Sequence, residues 1–442
     1  MGVSFGTSGI RGVVGKEITP ELALRLGEII GKKKRKVVVG RDTRESGVAL
    51  EAALVAGITF AGGTALKLGV VPTPTTAIAT KQKGEAGVMI TASHNPAEYN
   101  GFKVYNRFGE EISKEEEREI ENIIEMAKAQ AEYGGGSVYE VRDAVEKHIE
   151  LALSLADVSL IQKRKPKVVV DCGNGATSSI APFLLKEAGC RVISVNAEPS
   201  GVFSRALEPN SESLADASAV VKKSGAMLGV GYDGDGDRAV VIDETGAVLD
   251  LDEQLSLLLN YIVKEGCTVV STVEASLAVR EAVERGGGKL VVTEVGSRNV
   301  AEMIRMTGAV FGGEPCGEYI FPEEINSPDG MMIALKFIEL ACREGKLSRL
   351  KGKVRKYPIR RMKFECSDKA GSMEVIKEKL IGEFEGKLNE RDGVRIDFKD
   401  GWLLVRASGT EPVIRLTCEH KNKTELERMC KKAEQVVREG VR

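Results

Sequence analysis

Three carboxylates at alternate positions, Asp233, Asp235 and Asp237, stand in the run Asp233-Gly234-Asp235-Gly236-Asp237-Arg238. In an extended strand such residues share one face, about 6.6 Å apart. One hard cation of Mg²⁺ size needs its oxygens at about 2.1 Å. The segment therefore has to curl, and the interleaved glycines allow it. Left uncompensated, carboxylates this close repel each other, which favours a metal site over an exposed acidic turn. A second group, Thr91-Ala92-Ser93-His94-Asn95-Pro96, follows the apolar run Ala86-Gly87-Val88-Met89-Ile90. That run reads as a buried strand. A strand ending in small polar residues puts the Ser93 hydroxyl at the mouth of a sheet, where open α/β sheets keep their chemistry. The same residue types also build ordinary turns.

Other loops carry weaker signals. Gly313-Glu314-Pro315-Cys316-Gly317-Glu318 sets a carboxylate between glycines at a strand end, suited to bidentate reading of sugar hydroxyls. A plain glycine-rich turn has the same composition. Arg406-Ala407-Ser408-Gly409-Thr410-Glu411-Pro412, with Arg415 on the next strand, offers backbone N–H groups, hydroxyls and guanidiniums, the inventory of a phosphate cradle. A hairpin loop is the alternative. Phe5-Gly6-Thr7-Ser8-Gly9-Ile10-Arg11-Gly12 is similar but lacks the lysine of a P-loop. Cys172-Gly173-Asn174-Gly175-Ala176 reads as a strand-to-helix turn. The acidic run also has the spacing of an EF-hand start, but Arg238 stands where that loop needs glycine, and its flanks read as strands. A nucleophilic Asp-x-Asp loop of the haloacid-dehalogenase kind, with Asp233 attacking, is a third reading. Such loops usually carry Thr or Val where Asp237 stands.

Alternating helices and strands have to position these loops. Thr19-Pro20-Glu21 starts a helix, with Thr as cap and Pro at the first position. Strands are expected at 36–40, 64–70 and 86–91, with a helix over 45–61. A long charged helix is expected over 112–133, broken by Gly134-Gly135-Gly136-Ser137. The charged joint Lys163-Arg164-Lys165-Pro166-Lys167 marks a boundary. The pattern restarts with strands at 168–171 and 192–196 and a helix over 178–188. Strands at 227–232 and 239–243 flank the acidic loop. It restarts again after Asp252, with strands at 268–273, 290–295 and 309–311 and a helix over 329–342. Beyond a basic connector at 345–358, strands near 359–366, 394–398, 402–406 and 413–418 mix with two helices. The expected fold is α/β: three related α/β domains with mixed sheets, then a C-terminal α+β domain with an antiparallel sheet. The expected division is 1–150 with the Ser93 loop, 151–250 with the acidic loop, 251–350 with the Glu314 loop and 351–442 with the Arg406 loop.

Composition narrows the classes. The 442 residues are 42% hydrophobic and 29% charged, an ordinary globular mixture, and the net charge is −2. No basic excess exists to hold a nucleic-acid backbone. The longest apolar candidate, 255–263, is too short for a membrane span and contains Asn260. The N-terminus has no signal-peptide layout and no Ser or Thr at position 6 for myristoylation. Eight cysteines are scattered without a C-x-x-C pair, so reduced buried thiols are expected. The expectation is a cytoplasmic monomer or homodimer with a small-molecule substrate and no nucleic-acid or membrane partner.

Taken together and in this order, the loops resemble the α-D-phosphohexomutase superfamily of phosphoglucosamine mutases, phosphomannomutases and phosphoglucomutases. The likeness covers essentially the whole chain. It rests on residues 6–12, Thr91 to Pro96, Asn100-Gly101-Phe102-Lys103, Asp233 to Arg238, Gly313 to Gly317 and Arg406 to Arg415. The archaeal phosphoglucosamine mutase group is the nearest likeness, through Gly313-Glu314-Pro315-Cys316-Gly317 and Glu98 to Lys103.

The resemblance implies a heart-shaped four-domain enzyme that interconverts hexose 6-phosphate and hexose 1-phosphate. The route runs through a phosphoserine and a hexose 1,6-bisphosphate. It makes Ser93 the phosphoserine, and has Asp233, Asp235 and Asp237 hold Mg²⁺ together with an oxygen of that phosphate. Arg238 and His94 lie near the transferring group. Lys103 and Arg11 serve proton transfer and charge stabilisation. Glu314 and Cys316 read sugar hydroxyls, and Arg406, Ser408, Gly409, Thr410 and Arg415 anchor the phosphate that is not reacting. Two departures bear on the sugar. The superfamily commonly has Ser at Cys316 and often His at Glu318, and a thiol is the weaker donor. Action on mannose or glucose phosphates, and a non-catalytic sugar-phosphate-binding role, are the other readings.

Overall fold

The computed structural model describes every residue except 1–4, 7, 127–131, 324, 410, 411 and 442. The chain divides into two compact units. One is Met1–Gln254 with Cys316–Lys351, the other Leu255–Pro315 with Gly352–Arg442.

The first unit opens with a six-stranded sheet. Its strands are β1 (Ile10–Val13), β2 (Lys36–Arg41), β3 (Thr64–Val70), β4 (Ala86–Ile90), β5 (Tyr99–Asn106) and β6 (Ser137–Glu140), in the order β1-β5-β4-β2-β3-β6. The pairs β2–β3, β2–β4 and β3–β6 are parallel, while β4–β5 and β1–β5 are antiparallel. Val37-Val38-Val39 and all of β4 are buried, the continuous apolar runs that a parallel sheet covered on both faces requires. Leu22 and Leu26 of helix Pro20–Lys33 and Leu50 and Leu54 of helix Gly47–Phe60 join β2 and β4 in one core. The first helix starts as expected, with the Thr19 hydroxyl accepting the Leu22 N–H.

Three differences from the sequence reading have physical causes. The charged helix spans Lys114–Glu125 and starts on a reciprocal Ser113–Glu116 cap; residues 127–131 of that expectation lie outside the described residues. Strand β5 was not expected, since Asn100-Gly101 is a turn-type dipeptide. The Asn100 side-chain amide donates to the Ser46 hydroxyl at 2.8 Å, a partner distant in sequence, and its oxygen accepts the Gly101 N–H at 2.8 Å. The helix expected over 178–188 is a 3₁₀ turn, Ala176–Ser179, followed by helix Ala181–Glu187.

A second sheet follows in the same unit. It holds β7 (Lys167–Asp171), β8 (Arg191–Val195), β9 (Leu228–Tyr232) and β10 (Ala239–Asp243), in the order β10-β9-β7-β8. Only β9–β10 is antiparallel, and the acidic run is the connection between them.

In the second unit β11 (Thr268–Thr272) lies between the parallel partners β12 (Lys289–Thr293) and β13 (Phe311–Gly313). The chain returns to the first unit for β14 (Tyr319–Ile320) and the buried helix Gly330–Glu344. It ends in the second unit with an antiparallel sheet of β15 (Ile359–Glu365), β16 (Lys387–Asn389), β17 (Val394–Asp397), β18 (Gly401–Ala407) and β19 (Val413–His420), ordered β15-β19-β18-β17-β16. Helices Lys369–Glu383 and Lys423–Gly440 bury Ile376, Leu380, Leu426 and Val437 in the core of that sheet. The fold is thus three α/β domains followed by a C-terminal domain with an antiparallel sheet. Among the described residues, no helix is long and apolar enough to cross a membrane.

Candidate active site

Strand β4 delivers Ser93. The Thr91 hydroxyl donates to Asp42 Oδ2 at 2.7 Å and accepts the Ser93 N–H at 2.9 Å. Ser93 is buried and left-handed, with φ 49°, a backbone state that non-glycine residues hold only when their surroundings impose it. Its hydroxyl donates to Asp233 Oδ2 at 2.8 Å and lies 3.3 Å from His94 Nδ1. The serine loop and the acidic loop thus meet inside one unit, across 140 residues of sequence. The contact is backbone to backbone. A Cβ on Gly234 would sit 2.5 Å from the Ser93 carbonyl oxygen, so only glycine fits.

The acidic loop curls around Asp233, whose Oδ1 accepts the N–H groups of Gly236 at 2.9 Å and Arg238 at 3.3 Å. Ligand atoms of Asp233, Asp235 and Asp237 lie within 4.8 Å of one another, and all three residues are buried. Lys103 of β5, fully buried, donates to Asp235 Oδ2 at 2.8 Å and also to Asp237 Oδ2. Thr73, first residue of helix Thr73–Lys83, gives Asp235 its hydroxyl at 2.6 Å and its N–H at 2.8 Å to the carbonyl.

Electrostatics separates the three acids. Burial raises the Asp233 carboxyl well above the usual range, and the charges of Asp235 and Asp237 add to that. Burial with the Asp235 charge pushes Asp237 up to about 6. Asp235 is also penalised by burial, but Lys103 and its hydrogen bonds hold it below the usual range. Burial alone would lower Lys103; Asp235 and Asp237 outweigh it and keep the ammonium charged. Three carboxylates facing one ammonium leave an excess of negative charge. Asp235 Oδ1 and Asp237 Oδ1 are buried without a hydrogen-bond partner. Hard oxygen donors, negative excess and orphaned oxygens fit a divalent cation of the Mg²⁺ type.

Arg238 closes the loop between two acids. Its Nε donates to Glu318 Oε1 at 2.9 Å, and its Nη1 reaches the Glu208 carboxylate at 3.2 Å. His94 Nδ1 lies 3.5 Å from Glu208. Desolvation first, then the charges of Arg238 and Arg11, push the imidazole down to about 2, so the ring is neutral at physiological pH. Arg11 of β1 sits opposite Gly101 in the ladder and reaches Asn95 Oδ1 at 3.5 Å. Ser93, His94, Lys103, Arg11, Arg238 and the three aspartates therefore belong to one constellation. Cys316, half-buried, lies in the same unit.

The second unit holds the other predicted residues. Glu314 is buried after β13 and accepts the Gly296 N–H at 2.9 Å. Arg406 of β18 and Arg415 of β19 are direct cross-strand partners. Like charges in that position destabilise a ladder unless an anion intervenes. The Arg406 Nε donates to Glu274 Oε1 at 2.7 Å. Ser408 is buried, and its N–H bonds the Val413 carbonyl at 2.9 Å to close the hairpin, with exposed Gly409 following. Thr410 lies outside the described residues.

Comparison with known proteins identifies the family. Four consecutive family models match. Three are the phosphoglucomutase/phosphomannomutase alpha/beta/alpha domains I, II and III, at residues 2–131, 146–246 and 250–357, and the C-terminal domain matches at 362–436. The chain belongs to the phosphoglucomutase/phosphomannomutase family. It is 41% identical to a protein of Methanosarcina acetivorans named "probable phosphoglucosamine mutase", over 99% of both chains. A Pyrococcus horikoshii protein of the same name is 40% identical, over 100% of this chain and 99% of the other. Among solved structures, a phosphoglucomutase/phosphomannomutase family protein of Burkholderia thailandensis superposes with a TM-score of 0.88 at 27% identity, covering 99% of this chain and 97% of that one. The phosphohexomutase reading of the sequence therefore holds, and the protein is an isomerase of that class.

Within the candidate site, several side chains escaped the sequence reading. Thr73 holds Asp235 and stands in Pro72-Thr73-Pro74, where the flanking prolines draw the eye to the helix start alone. Glu208 comes from a loop with no recognisable pattern. Asp42, Thr43 and Arg44 follow β2 at its carboxyl end, a position that by itself marks candidate site residues in parallel sheets.

Proposed function

We propose that the protein interconverts glucosamine 6-phosphate and glucosamine 1-phosphate through a phosphorylated Ser93 and a glucosamine 1,6-bisphosphate. The observation that carries this reading is the Ser93 hydroxyl 2.8 Å from Asp233, inside an acid cluster with two orphaned oxygens. The amino sugar is favoured by the names of full-length relatives near 40% identity.

Asp233, Asp235 and Asp237, with an oxygen of the serine phosphate, would hold Mg²⁺. That ion supplies Lewis-acid charge neutralisation at the transferring phosphoryl group. Everything else falls to the chain. The bond from phosphorus to Ser93 Oγ breaks as a bond from phosphorus to the sugar oxygen forms, and the proton of that sugar hydroxyl ends on Ser93 Oγ, which is restored as a hydroxyl. The bisphosphate then returns its other phosphate to Ser93. Arg238, steered by Glu208 and Glu318, is placed to offset charge on the phosphoryl oxygens. Lys103, kept protonated by two aspartates, acts as charge stabiliser, with Arg11 beside it. Neutral His94, desolvated and beside Arg238 and Arg11, resists protonation and contacts the Ser93 oxygen through Nδ1 without adding charge next to the phosphoserine. Glu314 and Cys316 read sugar hydroxyls. Arg406, Ser408, Gly409, Thr410 and Arg415 hold the non-reacting phosphate. The four segments 1–150, 151–250, 251–350 and 351–442 are the proposed carriers of the four loops.

Ser93→Ala is the decisive variant. The expected result is loss of mutase activity together with loss of one phosphate from the intact mass. Full activity in that variant would transfer the nucleophile to Asp233. Glucosamine, mannose and glucose 6-phosphates assayed side by side test the sugar, and equal turnover of the three would overturn the amino-sugar assignment.

A further inference from the structure

Five N–H groups leave the Arg44 guanidinium, and each has an acceptor. The Nε donates to Asp42 Oδ2 at 3.0 Å. One terminal nitrogen donates to the carbonyls of Pro96 at 2.5 Å and Tyr99 at 2.9 Å. The other donates to the carbonyls of Ser93 at 2.9 Å and Asn95 at 2.6 Å. Arg44 is 1% exposed, so bulk solvent does not compete for these contacts. Asp42 completes the fork. It accepts the Arg44 N–H at 3.0 Å and the Thr91 hydroxyl at 2.7 Å, and its own N–H bonds the Ile90 carbonyl at 3.0 Å. The loop that carries Ser93 is thus gripped at its start, at the serine itself and at its exit, by two side chains from the end of β2.

Thr43, between them, reaches the other half of the site. Its hydroxyl donates to the Asn174 carbonyl at 2.9 Å. Gly175, next in sequence, packs so closely on the acidic loop that a Cβ there would lie 2.6 Å from the Gly234 carbonyl oxygen. The Ala176 N–H donates to that same oxygen at 2.9 Å. Arg44 therefore fixes the Ser93 carbonyl on which Gly234 rests, and Thr43 fixes the turn that buttresses Gly234 from its other side.

We infer that Asp42-Thr43-Arg44 is a positioning element that sets the Ser93 oxygen in register with the acidic loop, and that Arg44 holds the serine in its left-handed state. None of the three touches the reacting atoms. The inference rests on the Ser93 reading proposed above. Phosphoryl transfer depends on alignment more than on covalent help from the protein. A misplacement of about 1 Å costs on the order of 100-fold in rate. Lysine keeps the charge of Arg44 but gathers its three donors at one point, so it cannot span four carbonyls.

The test is steady-state kinetics per phosphorylated chain, with the phosphorylated fraction read from intact mass and folding checked by thermal melting. Arg44→Lys is expected to lose about 100-fold in kcat while KM for the hexose phosphate stays within about threefold. In Arg44→Ala, added guanidinium is expected to restore part of kcat, and ethylammonium none. A purely structural role would lower the melting temperature and the folded fraction without changing kcat per phosphorylated chain. Thr43→Val removes one hydroxyl at constant volume and is expected to lose about tenfold in kcat. Unchanged kcat in Arg44→Lys, or a loss confined to KM, overturns the inference. Should the Arg44 variants not fold, unchanged kcat in Thr43→Val overturns it by itself. An inactive Ser93→Ala beside a normal Arg44→Lys sinks this inference alone; an active Ser93→Ala sinks it together with the Ser93 reading.

Discussion

The acidic loop after β9 gathers three buried carboxylates and meets them with the Lys103 ammonium. The hairpin between β18 and β19 sets two guanidiniums opposite each other and meets Arg406 with the Glu274 carboxylate. Each region carries an excess of one sign and an internal counter-ion that offsets part of it. They differ in depth. The aspartates, Lys103 and Ser93 are sealed in, and their hydrogen bonds leave little freedom. Arg406 and Ser408 are buried as well, but Gly409 at the tip of the hairpin is exposed. Low polarity amplifies charge interactions in the first region more than in the second. Under the proposed function, chemistry sensitive to alignment belongs where counter-charges are locked, and capture of an anion where one of them can be exchanged.

Asp235→Asn breaks the locked side most severely, because Lys103 and Thr73 both lose their charged acceptor. Activity is expected to fall by about a thousandfold, and Mg²⁺ to stop raising the melting temperature. Assay and melting curves with and without the ion check this. On the exchangeable side, Arg415→Ala removes one charged donor, worth roughly 1.5–3 kcal/mol. KM for the sugar phosphate is expected to rise about 10–100-fold with a smaller change in kcat.

The third prediction concerns pH. In the cation-free protein Asp237 is pushed up to about 6. That folded value lies above the ordinary carboxylate value of 3.8, so ionised Asp237 costs stability at neutral pH. The cost is relieved as pH falls through about 6 towards 3.8. A cation must displace the same proton, so affinity is expected to rise about tenfold between pH 5 and pH 7. Calorimetric titration with Mg²⁺ at pH 5, 6 and 7 reads this, and a flat profile would contradict it. The smallest effect is expected from Glu274→Gln. Weakening the internal partner of Arg406 is expected to tighten hexose-phosphate binding about two- to fivefold. Weaker binding would mean that Glu274 positions Arg406 and does not compete with phosphate.

Much of the architecture is legible in residue order. Valine-rich β2 and the apolar β4 identify buried parallel strands, and Thr19-Pro20 marks a helix start that forms as read. The alternating aspartates favour a metal loop over an exposed acidic turn, because three carboxylates interleaved with glycine repel each other unless something compensates them. Strand β5 was not legible. Its Asn100-Gly101 signals a turn, and its Lys103 is a poor candidate for a buried position until two aspartates more than 130 residues away accept it. Glu318 shows the same limit. By itself it is an acid at the end of a glycine-rich loop; in the fold it pairs with Arg238.

Residue types and their spacing along the chain were enough to determine the order of the loops, the kind of chemistry each could do and the alternation of strands and helices around them. These are local properties, set by side-chain chemistry and backbone periodicity. Only the tertiary structure decided that Ser93 lies on Asp233, that Lys103 faces Asp235, and that Arg44 turns four of its five guanidinium N–H groups on the carbonyls of the serine loop. The reason is that a buried charge or a left-handed serine is unfavourable alone and becomes stable only through partners that chain order does not bring near.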